Sequence, residues 1–330
     1  MDRYASLQYW IARQFPGKAF TLSPASADAS FRRYFRVAFP DSTLIAMDAP
    51  PPQEDCRPFV RVAALMADAK VHVPAVLAQD LARGFLLLSD LGVTTYHAAL
   101  NPGNADQLFG DAIDTLIRWQ LASSEGVLPA YDEALLSREL DLFPEWYLGR
   151  HLGIKLSSRQ SESLEKIFSL ILASNLAQPK VYVHRDYMPR NLMVSNPNPG
   201  VLDFQDAVFG PISYDVASLL KDAFLSWEEQ RVLDWTVRYW EKAKRAGLPV
   251  NADFGVFYRD FEWMGLQRHL KVLGIFARIC HRDGKPGYVE DTPRFLGYVR
   301  AVALRYAVLA PLLRLLDQIE GREPAVGHSL

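Results

Sequence analysis

The feature that most constrains this chain is a pair of polar motifs, each placed directly after a short apolar segment. The first is His184-Arg185-Asp186, followed by Asn191, and the second is Asp203-Phe204. The apolar residues before each motif predict short buried strands, which would hold the polar loops in place. Asn191 follows Asp186 by five residues, and Asp203 follows Asn191 by twelve. This order and spacing indicate a site in which three oxygen-bearing side chains act together.

Three side chains of this kind fit metal-assisted phosphoryl transfer. In such a site one Asp accepts or orients the hydroxyl proton, while an Asn and a second Asp hold Mg²⁺ on the nucleotide phosphates. Mg²⁺ favours oxygen ligands and keeps several of its waters. We therefore predict Asp186 as the catalytic base and Asn191 and Asp203 as the Mg²⁺ ligands. A surface turn with a salt bridge explains either motif alone, but not both together.

Composition narrows the class of protein. The 330 residues are 49% apolar and 22% charged, which predicts one large or two fused globular domains. The net charge of −2 lacks the basic excess that is typical of a nucleic-acid-binding protein. No apolar run is long enough for a membrane span, the N-terminus lacks a secretory pattern, and Cys56 and Cys280 show no pairing signature. We expect a cytoplasmic protein with no membrane, nucleic-acid or obligate protein partner.

The pattern along the chain predicts an α+β, two-lobed fold of the protein-kinase type. Residues 1–90 are predicted as a β-rich, nucleotide-binding N-lobe, with strands that begin at Phe20 and then cover 31–39, 43–47, 71–77 and 84–88, and a helix over 57–69. Residues 91–330 are predicted as a helical C-lobe that carries the catalytic loop and the acceptor site. Its helices are expected at 105–121, 133–152, 157–176, 214–223, 227–246, a long segment ending near His281, and 292–319.

The catalytic motifs resemble those of the aminoglycoside phosphotransferase family of small-molecule kinases. The resemblance extends from His184 through Asn191 and Asp203 to the segment Gly210–Ser218. It implies a kinase-like fold that uses ATP and Mg²⁺, with Asp186 as base and Asn191 and Asp203 as metal ligands. It also implies that Asp215 holds the catalytic loop by hydrogen bonds and that His184 has a structural role in that loop.

Three longer strings resemble a narrower group within that family: 28–36, 47–51 and 202–207. This resemblance implies ATP-dependent phosphorylation of the anomeric hydroxyl of an amino sugar, N-acetylmuramate or N-acetylglucosamine. Two alternatives stay open. The acceptor could be another small alcohol, such as an aminoglycoside, a choline-like compound or another sugar, or the chain could be a catalytically silent pseudokinase.

The predicted nucleotide site departs from the usual kinase pattern in two ways. The third strand, Leu44–Asp48, carries no Lys for the phosphates, and the small-residue loop contains no glycine. Arg32 and Arg33 are the candidates to meet the phosphate charge, and at most one of them is expected to face the nucleotide because strand side chains alternate. The hinge is predicted at 86–92. The predicted ATP-binding residues are Ser26, Ala27, Asp28, Ala29, Ser30, Arg32 and Asp90.

The acceptor is expected to be small, because the interval from Asp203 to Tyr214 is too short for the activation segment of a protein kinase. Sugars bind to aromatic faces flanked by paired polar groups. Two mixed clusters in the helical region, 143–147 and 262–269, fit that description, although aromatics at helical spacing are more often core residues. The substrate candidates taken from them and from the catalytic segment are Gln205, Glu145, Trp146 and His269.

Overall fold

The computed structural model describes residues 2–26 and 31–321. Its α-helices, in chain order, are α1 (Arg3–Gln14), α2 (Arg57–Asp68), α3 (Tyr96–Ala99), α4 (Ala105–Leu121), α5 (Glu133–Leu142), α6 (Ser158–Leu176), α7 (Tyr214–Leu220), α8 (Glu229–Arg245), α9 (Phe254–Asp283), α10 (Thr292–Arg305) and α11 (Ala310–Glu320). Its strands are β1 (Thr21–Ser26), β2 (Arg33–Ala38), β3 (Thr43–Asp48), β4 (Val76–Asp80), β5 (Phe85–Ser89), β6 (Lys180–Val183), β7 (Leu192–Met193), β8 (Gly200–Val201) and β9 (Val208–Pro211). A π-helix spans Phe143–His151, and short 3₁₀ turns occur at Pro189–Asn191, Pro286–Asp291 and Ala307–Leu309. Within the described ranges, no helix has both the length and the apolar character needed to span a bilayer.

Internal contacts divide the chain into two compact units. The sheet unit comprises Met1–Ala122 and Pro189–Ala207, and the helical unit comprises Ser123–Met188 and Val208–Leu330. The catalytic segment is therefore shared: Asp186 belongs to the helical unit, whereas Asn191 and Asp203 belong to the sheet unit. The predicted lobes, divided at residue 90 in chain order, remain a prediction.

The sheet unit is built on an antiparallel sheet with the strand order β1-β2-β3-β5-β4. Side chains alternate across a strand, so each strand offers one face to α1 and the other away from it. The core under α1 is made by Leu7, Trp10, Ile11, Phe35, Val37, Ala46, Phe85 and Leu87. The opposite face carries Tyr34, Arg36, Ile45 and Leu88, which line a pocket described below.

The helical unit is organised around α9, which packs against α5, α6, α7, α10 and the π-helix. Gly274 lets α9 approach the end of α5, since a Cβ at this position would lie 2.4 Å from the backbone of Leu142. The β6–β9 ladder, in which Val181 pairs with Gly210, lies at the start of the catalytic loop. Apolar side chains of α5, α6, α9, α10 and α11 form one continuous core around these elements.

Several sequence predictions match the structure closely, and others are wrong for identifiable reasons. Helix α4 spans the predicted residues, and α6 begins with the predicted capping box between Ser157 and Gln160. Helix α1 was not predicted, although Leu7, Trp10 and Ile11 have helical spacing. The strand expected at 71–77 begins instead at Val76, because the N–H of Val71 still bonds to Met66 at the end of α2.

Two predicted helices are interrupted at prolines. The helix expected at 133–152 changes into a π-helix at Phe143, just before Pro144, whose missing N–H removes an ordinary helical bond. Its end shows the wider spacing, since the N–H of Leu152 bonds to Tyr147 at 3.1 Å. The helix expected at 292–319 breaks at Tyr306, and α11 restarts with Pro311 in its first turn, where proline is tolerated.

Candidate active site

The sheet unit contains a pocket of about 290 Å³ beside the face of the sheet that α1 leaves open. Its apolar wall is formed by Ile45, Phe59, Leu88, Met193 and Leu202, and its polar groups come from Arg36, Asp90, Arg190, Asn191 and Asp203. Flat apolar walls with a few convergent polar groups are typical of a small-ligand site. The predicted hinge and both predicted metal ligands line this one pocket.

The hinge segment is fixed by a long-range ion pair. The Arg36 guanidinium on β2 donates to Asp90 at 2.7 Å and to the carbonyl of Gly92 at 2.9 Å. The Gly92 N–H donates to the Asp90 carboxylate at 2.9 Å. Burial acts to raise the pKa of the Asp90 carboxyl, but the Arg36 and Gly92 donors outweigh it and lower the pKa. Residues 89–93 therefore line the pocket in a defined conformation.

Asn191 and Asp203 lie next to each other in the sheet unit. The Leu202 N–H donates to the Asn191 carbonyl at 2.9 Å, which aligns the two segments beside the β7–β8 pair. The Asn191 amide nitrogen is 3.4 Å from the Asp203 carboxylate, whose other oxygen accepts from Gln205 at 2.8 Å. Asp203 has a φ of +61°, a left-handed conformation that Asp tolerates better than most residues. The buried ring of Phe204 packs on Phe59 of α2.

This donor set fits Mg²⁺. A carboxylate and an amide offer the hard oxygen ligands that Mg²⁺ prefers, and their exposure to the pocket leaves room for phosphate and water oxygens. Within the described residues, no group of three or more His, Cys, Asp and Glu side chains could hold a metal ion.

In the helical unit, the buried Asp215 holds the backbone of the catalytic loop at His184 and Arg185. Its carboxylate accepts from the N–H groups of His184 at 2.6 Å and Arg185 at 3.0 Å. The imidazole of His184 contacts the Asp186 N–H at 3.2 Å. Complete burial raises the pKa of Asp215 to about 7, the two N–H donors oppose that shift, and the charge of Asp186 adds to it. Arg185 has a φ of +79°, a strained conformation that these contacts maintain.

A buried cluster of charges fixes the side chain of Arg185. The guanidinium donates to Glu139 on α5 at 2.6 Å, and Lys271 on α9 lies 2.8 Å from the same carboxylate. Lys271 also donates to the hydroxyl of Tyr214 at 3.0 Å. Burial acts to raise the pKa of Glu139, but Lys271 and Arg185 lower it to about 2. Sequence reasoning missed Glu139 and Lys271, because no local spacing connects residues so far apart along the chain.

Residues 21–250 match the model of the phosphotransferase enzyme family. The chain belongs to this family. A curated relative from Pseudomonas aeruginosa, named N-acetylmuramate/N-acetylglucosamine kinase, is 61% identical over 90% of this chain and 88% of its own length. A relative of the same name from Neisseria meningitidis is 50% identical over 98% of both chains. The predicted family is confirmed, and the chain is a small-molecule kinase.

A solved structure agrees on the fold. The ADP-bound aminoglycoside phosphotransferase APH(2'')-Ib matches this kinase with a TM-score of 0.59 and 16% sequence identity. The match covers 89% of the present chain and 97% of the chain of APH(2'')-Ib. At this identity the likeness concerns the fold alone. It confirms the predicted kinase-like α+β fold, and membership of the family implies a nucleotide as phosphoryl donor.

Of the predicted ATP-binding residues of this kinase, some line the pocket and others do not. Asp90 lines the pocket, whereas Arg32 pairs with Glu54 at 2.9 Å and does not line it. Arg33 pairs with the buried Asp48 on the far side of the strand. The loop residues Ala27, Asp28, Ala29 and Ser30 lie outside the described residues, as does the side chain of Ser26. Arg36 and Arg190, which were not predicted, line the pocket instead.

The predicted substrate residues belong to both units: Gln205 to the sheet unit, and Glu145, Trp146 and His269 to the helical unit. Gln205 donates to Asp203 and so contacts a predicted metal ligand. Glu145 is exposed on the π-helix, and Trp146 packs partly into the core of the helical unit. His269 is fully buried, with its ring stacked on Tyr298 at 4.8 Å. Burial lowers the pKa of His269 well below its ordinary value, so this imidazole is neutral. Their roles toward a substrate stay predictions.

The cluster under the catalytic loop makes a prediction about stability. Glu139→Gln is expected to lower the free energy of unfolding at pH 7 by about 3 kcal/mol, because two buried cations lose their countercharge. The pKa of Glu139 falls from 4.5 to about 2 on folding. Its stabilisation is therefore complete above pH 4.5 and disappears as the pH falls toward 2. In urea unfolding experiments from pH 7 to pH 2.5, the free energy of unfolding should fall less steeply with decreasing pH in the variant than in the wild type. Glu145→Gln, at an exposed site, is the matched control and should keep the wild-type curve.

Proposed function

We propose that this kinase transfers the γ-phosphoryl group of ATP to the anomeric hydroxyl of N-acetylmuramate and N-acetylglucosamine. The observation that carries the proposal is the 61% identity to a relative of that name across nearly the whole of both chains. The same chain holds Asp186, Asn191 and Asp203 at the spacing that phosphoryl transfer needs. A cytoplasmic location, where ATP is available, belongs to this proposal.

In this proposal the pocket of the sheet unit binds the nucleotide. Ile45 and Leu88 contact the flat faces of the adenine ring, and backbone groups of residues 89–92 hydrogen-bond its edge. Asn191 and Asp203 hold Mg²⁺, which when bound neutralises charge on the phosphate oxygens. Arg190 lines the pocket beside them and is the candidate to supply the positive charge that the third strand lacks.

Asp186 is proposed to act on the acceptor. The sugar hydroxyl donates to its carboxylate, the hydroxyl oxygen bonds to the γ-phosphorus as the bond to the leaving ADP breaks, and Asp186 takes the proton. Asp215 keeps the loop in shape through the N–H groups of His184 and Arg185. A preorganised loop lowers the entropy that alignment of hydroxyl and phosphate would otherwise cost.

A simple assay separates the acceptors and the position of transfer. ADP release should be measured with N-acetylmuramate, N-acetylglucosamine, an aminoglycoside and choline, each at equal concentration. Phosphorylation at the anomeric carbon blocks ring opening, so the reducing-sugar signal should fall mole for mole with ADP formed. Turnover on both amino sugars with loss of reducing ends supports the proposal. Turnover only on choline or the aminoglycoside, or full retention of reducing ends, would contradict it.

A further inference from the structure

The helical unit contains a buried guanidinium that is poorly paired. Arg268 on α9 is only 2% exposed, and its Nη1 has no hydrogen-bond partner. Its Nη2 lies 3.9 Å from the sulfur of Met188, and a thioether is a weak acceptor. A buried donor without an acceptor costs free energy, so the unpartnered Nη1 calls for an explanation.

Unpaired polar atoms also occur in α7, which packs against α9, and in the residues just after it. Asp222 is 2% exposed and uses one carboxylate oxygen to accept from the N–H groups of Phe224 at 2.9 Å and Leu225 at 3.0 Å. Its other oxygen has no partner, and neither does the hydroxyl of the fully buried Ser218. Helix α7 packs on α9 at this point, and the carbonyl of Lys221, the residue before Asp222, lies 3.3 Å from the ring nitrogen of His269, the residue after Arg268. Burial raises the pKa of Asp222, while the charge of Arg268 acts to lower it.

The guanidinium of Arg268 lies next to the catalytic loop. Met188, which covers the guanidinium, is only two residues from Asp186 along the chain. The charge of Arg268 also acts on Asp215, the residue that holds the loop. Met188 is partly exposed, and its unbranched side chain can adopt other rotamers. Of the unpartnered groups, the guanidinium of Arg268 is therefore the one next to the loop that carries Asp186.

We propose that Arg268 is the residue that binds the carboxylate of N-acetylmuramate, with Asp222 and Ser218 accepting or donating hydrogen bonds to sugar hydroxyls. The inference rests on the proposed function. The two amino sugars share a ring and an N-acetyl group, but N-acetylmuramate carries a lactyl ether that ends in a carboxylate. A guanidinium matches a carboxylate in charge and in the geometry of its donors. Arg268 then serves the acidic sugar and contributes little to the neutral one.

The test removes the charge from each partner in turn. Arg268→Met keeps an unbranched side chain of similar length, and the lactyl amide of N-acetylmuramate keeps the shape of the sugar without its negative charge. We expect kcat/KM of the wild type to fall about 100-fold from acid to amide, and kcat/KM of the variant to fall about 100-fold on the acid. The variant's loss with N-acetylglucosamine should be at least tenfold smaller. Combining variant and amide should add little, as in a double-mutant cycle.

The outcomes distinguish this inference from the proposed function. Wild-type enzyme that phosphorylates neither amino sugar overturns the proposed function and the inference with it. Wild-type enzyme that uses both sugars but treats acid and amide alike overturns the inference alone, and this arm needs no variant to fold. Equal losses on both sugars in Arg268→Met, with unchanged nucleotide affinity, also overturn it and give Arg268 a role that both sugars share. Arg268→Lys should recover part of the preference for the acid, because it restores the charge without the fork of donors.

Discussion

Replacing Asp186 with asparagine is expected to lower kcat by about 10³-fold, while KM for the sugar changes little. Asparagine keeps the size of the side chain and can still contact a hydroxyl, but it cannot take up a proton. General-base assistance typically contributes between about 10² and 10⁴ in rate, so its loss appears in kcat. Steady-state kinetics by ADP release, with saturating ATP and the better amino sugar, measures the effect directly.

The fold of this variant should survive intact, for an electrostatic reason. The negative charge of Asp186 acts to raise the pKa of the buried Asp215, so the two carboxylates repel each other. Removing one charge relieves that repulsion, and the free energy of unfolding should not fall. Asp234→Asn is the matched control, because Asp234 is an exposed aspartate of the same unit that pairs with Arg238 on α8. A kcat of Asp186→Asn within threefold of wild type would show that Asp186 is not the base, whereas absence of turnover in the wild type itself would indicate a pseudokinase.

Features that depend on residues near each other in sequence could be predicted from spacing and residue type. The Leu202 N–H bond to the Asn191 carbonyl places Asp203 beside Asn191, and both line the same pocket. The roles of Asp186, Asn191 and Asp203 stay predictions. The capping box of α6 is local in the same sense. These elements depend on contacts over few residues, for which spacing and side-chain type are sufficient information.

Long-range pairs could not be predicted in this way. The Arg36–Asp90 pair and the Glu139–Lys271 pair depend on how distant elements pack, and no local pattern encodes that packing. One signal was nevertheless available for Arg36. Phe35 and Val37 are the buried apolar positions of β2, so the alternation of side chains places Arg36 on the opposite face of the strand. Arg32 and Arg33 were predicted instead because they lie nearer to the small-residue loop.

The sequence also cannot show which buried polar atoms lack a hydrogen-bond partner, because this depends on the packed structure. The sequence indicates that Gln267, Arg268 and His269 form a mixed cluster on a helix, but it does not say which of them has a partner. In the structure Gln267 donates to Glu139 and the ring of His269 stacks on Tyr298, although Gln267, Arg268 and His269 each keep one buried atom without a hydrogen-bond partner. Arg268 differs from the other two because its unpartnered atom belongs to a charged group that lies next to Met188 of the catalytic loop. That difference turns a general expectation of sugar binding into a proposal about one residue and one functional group.

Replacing Asp203 with asparagine is expected to lower kcat/KM for Mg·ATP by about 10³-fold and to raise the Mg²⁺ concentration needed for half-maximal rate. A metal ion contributes several kcal/mol by neutralising phosphate charge, and about 1.4 kcal/mol corresponds to tenfold in rate. Asparagine is the informative substitution, because it tolerates the left-handed backbone at a φ of +61° better than alanine does. Strain in the backbone is thereby kept out of the measurement.

The binding of the nucleotide gives a second readout that does not depend on turnover. Calorimetric titration of wild type with ADP should show tighter binding with Mg²⁺ than with EDTA, and Asp203→Asn should lose most of that difference. Asp206→Asn is the matched control, since Asp206 is an exposed aspartate three residues along the chain that does not line the pocket. If Asp203→Asn kept both the Mg²⁺ dependence of the rate and the metal-dependent gain in affinity, Asp203 would not be a metal ligand. Loss of affinity in EDTA as well as in Mg²⁺ would instead indicate that Asp203 shapes the pocket itself, through its bonds with Asn191 and Gln205.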